Sequence, residues 1–136
     1  MLTISPVLPS PSFLPANHLY IINELLPAVT HTDLSTSPPS FVSKTSIVPP
    51  RPQTENPVNK GTAPSSAELL LIPTKPNPTI LASTRTLNDR ETDTLALFDL
   101  DESTGAINLK EFVYPRKGRE FRGVGVSFCG KYIVVT

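Results

Sequence analysis

Residues 94–114, TLALFDLDESTGAINLKEFVY, decide the fold class, because they read as two strands joined by a turn. The first stretch, TLALFDL, places apolar side chains with a period of about two residues, as in a strand with one buried face. DESTG, residues 101–105, is a run of turn-forming residues, and apolar residues resume directly after it. The stretch therefore predicts a β-hairpin.

Sixteen prolines are the anomaly in the composition of this 136-residue chain. Proline lacks a backbone N–H and fixes φ, so this density excludes long helices and favours short strands joined by loops. Together with the hairpin, the prolines predict an all-β fold.

Three segments repeat one pattern, in which a turn-forming group precedes a short apolar strand. They are PANHLYIINEL (15–25), PNPTILASTRT (76–86) and CGKYIVVT (129–136). Arg85 follows Glu24 by 61 positions (85 − 24), and Thr136 ends the third segment at the corresponding place. Such self-similarity among short strands is typical of a β-propeller.

The length of the chain predicts only part of a propeller. A closed seven-bladed ring at about 50 residues per blade needs roughly 350 residues, so this chain holds about two and a third blades. We assign residues 10–31 to the remnant of a first blade, 67–115 to a second blade and 116–136 to the start of a third. In the third blade, 123–128 and 131–135 are predicted as paired strands. Together with the connection at 32–66, these three segments form a single partial domain over residues 1–136.

Residues 32–66 are rich in Pro, Ser and Thr and predict a long loop between the first two blades. One strand is predicted inside it, at 44–48. The loop is interpreted either as a plain flexible connection or as a cover over a site.

Charge and cysteine content limit the possible partners. Lys+Arg and Asp+Glu both total 12, so the basic excess that favours nucleic acid or anionic membranes is absent. Cys129 is the only cysteine, which excludes an internal disulfide. The first residues lack a signal peptide's charged start, and no apolar run approaches the ~20 residues that span a bilayer. We expect a cytoplasmic protein without nucleic-acid or membrane partners.

Four motifs carry a resemblance to a known family. They are LYIINELLPAVT (19–30), SSAELLLIPTKPNPTILASTR (65–85), DTLALFDLDESTGAINL (93–109) and FRGVGVSFCGKYIVVT (121–136). In this order they resemble the blade motifs of the lactonase seven-bladed propellers. That family includes propeller-type 6-phosphogluconolactonase and carboxy-cis,cis-muconate cyclase.

The resemblance implies an active site in a central cleft lined by several blades. Glu24 matches the family's catalytic acid and Arg85 its catalytic arginine. Glu68 and Arg122 match an acidic and a basic position near the substrate, so the resemblance implies that they bind it.

Several features depart from the family pattern. Phe121 stands where the family has proline, the loop at 88–91 is longer and more charged than a tight turn needs, and segment 32–66 disrupts the outer strands of the first blade. The family's histidine and a further basic residue have no counterpart. His18 is predicted in a turn and His31 after the first strand, so neither matches the histidine.

Lactone hydrolysis needs a base for water, a donor for the oxyanion and a cation for the substrate's anionic group. A partly buried carboxylate serves as base, and the planar fork of arginine binds carboxylate or phosphate. We expect Glu24 to act as base or proton shuttle and Arg85 as anion clamp on a small anionic lactone such as 6-phosphogluconolactone. No cluster has metal-ligand spacing, and we expect no cofactor.

Other interpretations stay open. The same residues suit a lactonising enzyme similar to carboxy-cis,cis-muconate cyclase. Alternatively the chain is a non-catalytic propeller fragment or interaction module, in which Glu24 and Arg85 form an ion pair or end solvated strands. Glu68 and Arg122 would then tie neighbouring blades together. Because most blades are lacking, we expect the isolated chain to be inactive and to self-associate through unpaired strand edges.

Overall fold

A computed structural model describes residues 17–50, 65–85, 93–115, 121–127 and 131–136. Within these ranges the chain forms nine strands and no helix. The strands are β1 His18–Asn23, β2 Ala28–Asp33, β3 Ser40–Ser46, β4 Ser65–Ile72, β5 Thr79–Arg85, β6 Leu95–Leu100, β7 Ile107–Val113, β8 Val124–Val126 and β9 Ile133–Val135. The predicted all-β fold class is confirmed. None of the described segments forms a helix long and apolar enough to cross a membrane.

The strands form three separate antiparallel sheets. Their orders are β1-β2-β3, β4-β5-β6-β7 and β8-β9. Strands adjacent in the chain are therefore adjacent in each sheet, as short connections between antiparallel strands allow. No sheet closes on itself within the described part of the chain.

The predicted hairpin at 94–114 is present as β6 and β7. Leu100 pairs with Ile107, and the turn between them carries the DESTG sequence. Asp101 Oδ1 accepts hydrogen bonds from the backbone N–H of Ser103 at 2.8 Å and from its hydroxyl at 2.6 Å. Gly105 closes the turn with φ +71°, a conformation that glycine adopts without strain. The pair predicted in the last segment is also present, as β8 and β9.

Residues 32–50, the described first part of the Pro/Ser/Thr-rich segment, contain more strand than their composition indicates. β3, at Ser40–Ser46, pairs with β2 and is longer and earlier than the strand predicted at 44–48. Its side chains are mostly exposed, and β3 is one of the two edge strands of the first sheet. An edge strand needs no run of buried apolar residues, so the composition concealed it. Residues 51–64 of the predicted loop, like Cys129, lie outside the described residues.

One histidine placement was wrong, because His18 is the first residue of β1 rather than part of a turn. His31 does follow the first strand, but it lies inside a second strand, β2, that was not predicted. The reason is the short turn at residues 24–27, which returns the chain at once into β2. The two strands pair from end to end, so His31 faces Tyr20 across the ladder.

The three sheets stack face to face on two apolar cores. Between the first and second sheets the buried core residues are Ile22, Val29, Ile47, Ile80, Ala82, Ala96, Phe98, Leu100 and Ile107. Between the second and third sheets they are Ile72, Leu81, Leu95 and Phe121, with Val124, Val126 and Val135 packed against them. Phe121, the departure from the family's proline, thus fills part of the second core. Burying each large aliphatic or aromatic side chain contributes roughly 1.5–3 kcal/mol.

β5 is the strand most enclosed by this stacking. It lies between β4 and β6 in the middle sheet, and every residue except Arg85 is buried. Its neighbour β4 also contacts β1 of the first sheet and β8 of the third. The ends of β1, β4, β5 and β8 consequently meet where the three sheets adjoin.

Candidate functional site

A pocket of about 210 Å³ opens where the three sheets adjoin. Its lining residues are Ile22, Glu24, Ser66, Ala67, Glu68, Arg85 and Arg122. All four residues singled out from the motifs are among them. Each comes from a different structural position: directly after β1, within β4, at the end of β5 and ahead of β8.

Glu24 and Arg85 are in direct contact in this pocket. Arg85 Nη2 donates to Glu24 Oε1 at 2.6 Å, and the two side chains are 26% and 33% exposed for Arg85 and Glu24 respectively. A charge-assisted hydrogen bond of this length is among the stronger polar contacts in proteins. Because both side chains keep contact with water, an anion entering the pocket can compete with Glu24 for the guanidinium.

The backbone of Glu24 is held by Ser66 of the neighbouring sheet. The Ser66 N–H donates to Glu24 O, and the Ser66 hydroxyl donates to Asn23 O, both at 2.9 Å. Ser66 is only 2% exposed, so water does not compete for these bonds. On the other side, Asn23 Nδ2 donates to Thr30 Oγ1 at 2.8 Å. The turn that carries Glu24 is therefore fixed relative to β4.

Arg85 is held equally firmly at the end of β5. The Ser65 hydroxyl donates to Arg85 O at 3.2 Å. Thr84, directly before Arg85, is fully buried and is hydrogen-bonded to the equally buried Thr94. Thr84 N–H donates to Thr94 O at 2.9 Å, and Thr94 N–H donates to Thr84 Oγ1 at 2.8 Å. These bonds continue the β5–β6 ladder to the edge of the pocket.

Glu68 reaches the pocket through an irregularity in β4. The pairing of β4 with β5 shifts register between Ser66 and Leu69, which leaves Ala67 and Glu68 out of the ladder. The Glu68 N–H is satisfied instead by the hydroxyl of Ser83, at 3.0 Å. Such bulges redirect side chains and recur beside functional sites. Here the two residues of the bulge, Ala67 and Glu68, both line the pocket.

Arg122 belongs to the third sheet. Its N–H donates to Thr136 O at 2.7 Å, and Thr136 N–H donates back to Gly123 O at 2.9 Å. Thr136 directly follows β9, as Glu24 directly follows β1, while Arg85 is the last residue of β5. The structural positions of Glu24, Arg85 and Thr136 agree with the repeat read from the sequence.

The charges of the pocket are two carboxylates and two guanidiniums. Both cations stand where they can contact one ligand, so the arrangement suits a molecule that carries an anionic group and neighbouring polar atoms. No group of three or more His, Cys, Asp or Glu side chains among the described residues is placed to hold a metal ion.

A second polar cluster was missed by the reading of the sequence. His18, Tyr20 and His31 share one face of the β1–β2 ladder and lie beside Gly105 of the β6–β7 turn. This cluster could have been predicted from the antiparallel register of β1 and β2. Pairing across the 24–27 turn places Tyr20 opposite His31 and His18 opposite Asp33.

No protein-family model matches the chain, and no curated protein is significantly similar to it. A functional interpretation therefore depends on the motifs and on the pocket.

Proposed function

We propose that the chain is part of a lactonase-type β-propeller and that its pocket binds a small anionic lactone, the 6-phosphogluconolactone class being the best match. One observation carries the proposal. Glu24, Glu68, Arg85 and Arg122 were selected from three of the four motifs, and all four line one pocket. A volume of about 210 Å³ lies below the range typical of drug-sized ligands and suits a small metabolite.

The fold supports the propeller part of this proposal. Three antiparallel sheets stack face to face, and the complete one has four strands, the number in a propeller blade. β1, β5 and β9 carry the three copies of the sequence repeat, one in each sheet. β4 contacts both β1 and β8, as expected of a strand near the centre of a ring.

The proposed chemistry begins with the binding of the anion. The anionic group of the lactone takes the Arg85 guanidinium, and Glu24 Oε1 is released from its present partner. Arg122 supplies the second cation, and Glu68 accepts hydrogen bonds from hydroxyl groups of the substrate. In this order of events, Glu24 becomes available as a base only after the substrate has bound to Arg85.

Hydrolysis then follows from the released carboxylate. Glu24 takes a proton from water while the water oxygen bonds to the lactone carbonyl carbon, and a guanidinium stabilises the oxyanion. The ring C–O bond breaks, the carbonyl re-forms, and the departing alkoxide takes the proton back from Glu24. The product is the open hydroxy acid. The family's histidine and further basic residue have no counterpart in this chain, so we expect ligand binding but little turnover from these 136 residues alone.

The ion pair favours a second candidate function. A Glu24–Arg85 contact of 2.6 Å joins the first sheet to the second. In a non-catalytic propeller fragment the contact would serve as a tie between blades, and no ligand would be needed. A lactonising enzyme acting on a carboxylated ring is the alternative within the enzyme class.

Nuclear magnetic resonance of the isotopically labelled 136-residue chain tests the proposal. Titration with 6-phosphogluconate, the hydrolysed form of the lactone, is expected to shift the amide signals of Ala67, Glu68 and Gly123 while those of β3 stay in place. The neutral sugar lactone glucono-δ-lactone is the control and is expected to shift them much less. If none of these amide signals shifts, the better explanation is the second candidate function, in which the Glu24–Arg85 ion pair only holds two blades together. A larger response to a carboxylated muconolactone would favour the lactonising enzyme.

A further inference from the structure

His18 and His31 are joined by a direct hydrogen bond on one face of the first sheet. His31 Nε2 lies 2.8 Å from His18 Nδ1, and the ring centroids are 4.8 Å apart. The ring of Tyr20 stacks on His31 with a centroid distance of 5.0 Å and an interplanar angle of 23°. His31 is 1% exposed, so the pair is buried at one end.

The pair also contacts the second sheet through Gly105 of the β6–β7 turn. The Tyr20 hydroxyl donates to Gly105 O at 2.6 Å. A Cβ added to Gly105 would lie 2.6–2.7 Å from three atoms of the His18 ring, so the glycine backbone sits directly against that ring. The three aromatic side chains and the glycine thus hold the first sheet against the turn of the second.

The hydrogen-bonding pattern of the pair fixes where protons can go. His31 Nδ1 is buried and has no hydrogen-bond partner among the described residues. The least costly neutral arrangement places a proton on His31 Nε2, which donates to His18 Nδ1, because His31 Nδ1 then carries only an unpaired acceptor. If His31 gains a proton, it must sit on Nδ1. If His18 gains one, it sits on its own Nδ1, and His31 must move its remaining proton to Nδ1 to accept the bond.

Both routes therefore place an N–H on His31 Nδ1, where nothing accepts it. A buried donor without a partner costs about 1–3 kcal/mol. We propose that His18 and His31 form a pH-sensitive latch, which holds the first sheet against the β6–β7 turn when both rings are neutral and loosens that contact when either is protonated. This inference does not depend on what the pocket binds.

Few charged groups of the described segments surround the latch. On β2, Asp33 lies opposite His18, and its carboxylate accepts the Ser35 N–H at 2.7 Å. On β3 the residue opposite His31 is uncharged Ser43. The β6–β7 turn carries Asp101 and Glu102. The Asp101 carboxylate is bound by Ser103 and Thr104 within the turn, and Glu102 is exposed.

The pKa of His31 reflects the same surroundings. Burial lowers it most, the neighbouring His18 lowers it further, and Asp33 opposes both by raising it. Burial also raises the pKa of the Tyr20 hydroxyl, so Tyr20 stays a neutral donor to Gly105. Since the folded-state pKa of His31 is below the unfolded value of about 6.5, the unfolded chain binds more protons as the pH falls. The latch is fully stabilising above that value and loses its contribution as the pH falls through the lower folded-state pKa.

Thermal unfolding at two pH values tests the latch. Between about pH 7.5 and about pH 5 the unfolding midpoint of the wild-type chain is expected to fall by at least about 3 °C. His31→Gln keeps a donor for His18 Nδ1 but cannot titrate, so its fall is expected to be less than half as large. Tyr20→Phe, the matched control, removes the hydroxyl bond to Gly105 and keeps both histidines. It is expected to unfold at a lower temperature with the wild-type pH dependence.

An equal fall in wild type and His31→Gln, or none in wild type, would overturn the latch. If His31→Gln does not fold, the pH dependence of the wild-type unfolding midpoint still tests the latch. Nitrogen-15 chemical shifts of the His31 ring are expected to show the proton on Nε2 at about pH 7.5 and protonation only below the ordinary pKa of about 6.5. A proton on Nδ1 at neutral pH, or protonation at or above the ordinary value, would also contradict the proposal.

Discussion

Arg85 Nη2 lies 2.6 Å from Glu24 Oε1, although 61 positions separate the two residues in the chain. Glu24 follows the first strand of one sheet, and Arg85 ends a strand of the next. The two residues hold corresponding places in the internal repeat of the sequence, and their contact lies in the candidate site. It also joins two sheets, so its energy can be measured without knowing any ligand.

A double-mutant cycle on this pair is expected to give a coupling free energy of about 0.5–1 kcal/mol, since the side chains are partly exposed and water screens the charges. The variants are Glu24→Gln, Arg85→Gln and the double substitution, and urea unfolding supplies the free energies. Lys110 and Asp99 are the matched control pair, at 3.2 Å with side chains 51% and 41% exposed. Their coupling is expected to be smaller, and a larger value there would show that the Glu24–Arg85 contact is not a special link.

Ser66→Ala removes the hydroxyl bond to Asn23 O and leaves that carbonyl without this donor. Because Ser66 is buried, the free energy of unfolding is expected to fall by about 1 kcal/mol. Ser46→Ala is the control, since the Ser46 hydroxyl is exposed and bonds only within its own segment, to Val48. Chemical denaturation that gave equal effects at both serines would contradict the role assigned to Ser66.

Gly105→Ala is expected to destabilise the chain by about 1–3 kcal/mol, because it combines a left-handed backbone with a clash against the His18 ring. Gly125→Ala provides the comparison. Nothing lies within 4 Å of a Cβ at Gly125, so its effect is expected to be near zero or stabilising. Thermal unfolding of both variants measures the difference, and a harmless Gly105→Ala would mean that the turn does not rest on His18.

Phe98→Ala is expected to cost about 3–5 kcal/mol, because Phe98 is fully buried between the first and second sheets. Leu109→Ala, on the neighbouring strand, removes a side chain that is 47% exposed and is expected to cost well under half as much. Guanidinium unfolding compares the two. A small effect at Phe98 would argue that the two sheets do not share one core.

The strands that could be predicted from the sequence are those with a buried face. β6 is apolar at every position except Asp99 because it packs one face into each core, and the DESTG turn has its own hydrogen-bonding chemistry. The position of Glu24 relative to Arg85 was predictable from the repeat alone. These features are local in the sequence or recur within it.

Features that depend on how the strands pair could not be predicted from the sequence in this way. β3 has no apolar pattern, because an edge strand is stabilised by backbone bonds to β2 and one side faces water. The bulge that turns Ala67 and Glu68 into the pocket depends on the register of β4 against β5. The histidine pair needs the register of β1 against β2, so residues 13 positions apart become partners only in the folded chain.

Isothermal titration of the 136-residue chain with 6-phosphogluconate tests the central claim most directly. Wild-type chain is expected to bind one anion per pocket, and Arg85→Gln is expected to weaken the affinity at least about tenfold by removing the bidentate donor. Lys110→Gln removes an exposed cation outside the pocket and is expected to leave the affinity unchanged. Equal binding by wild type and Arg85→Gln, or no binding by the wild type, would contradict the claim that this pocket recognises an anionic lactone.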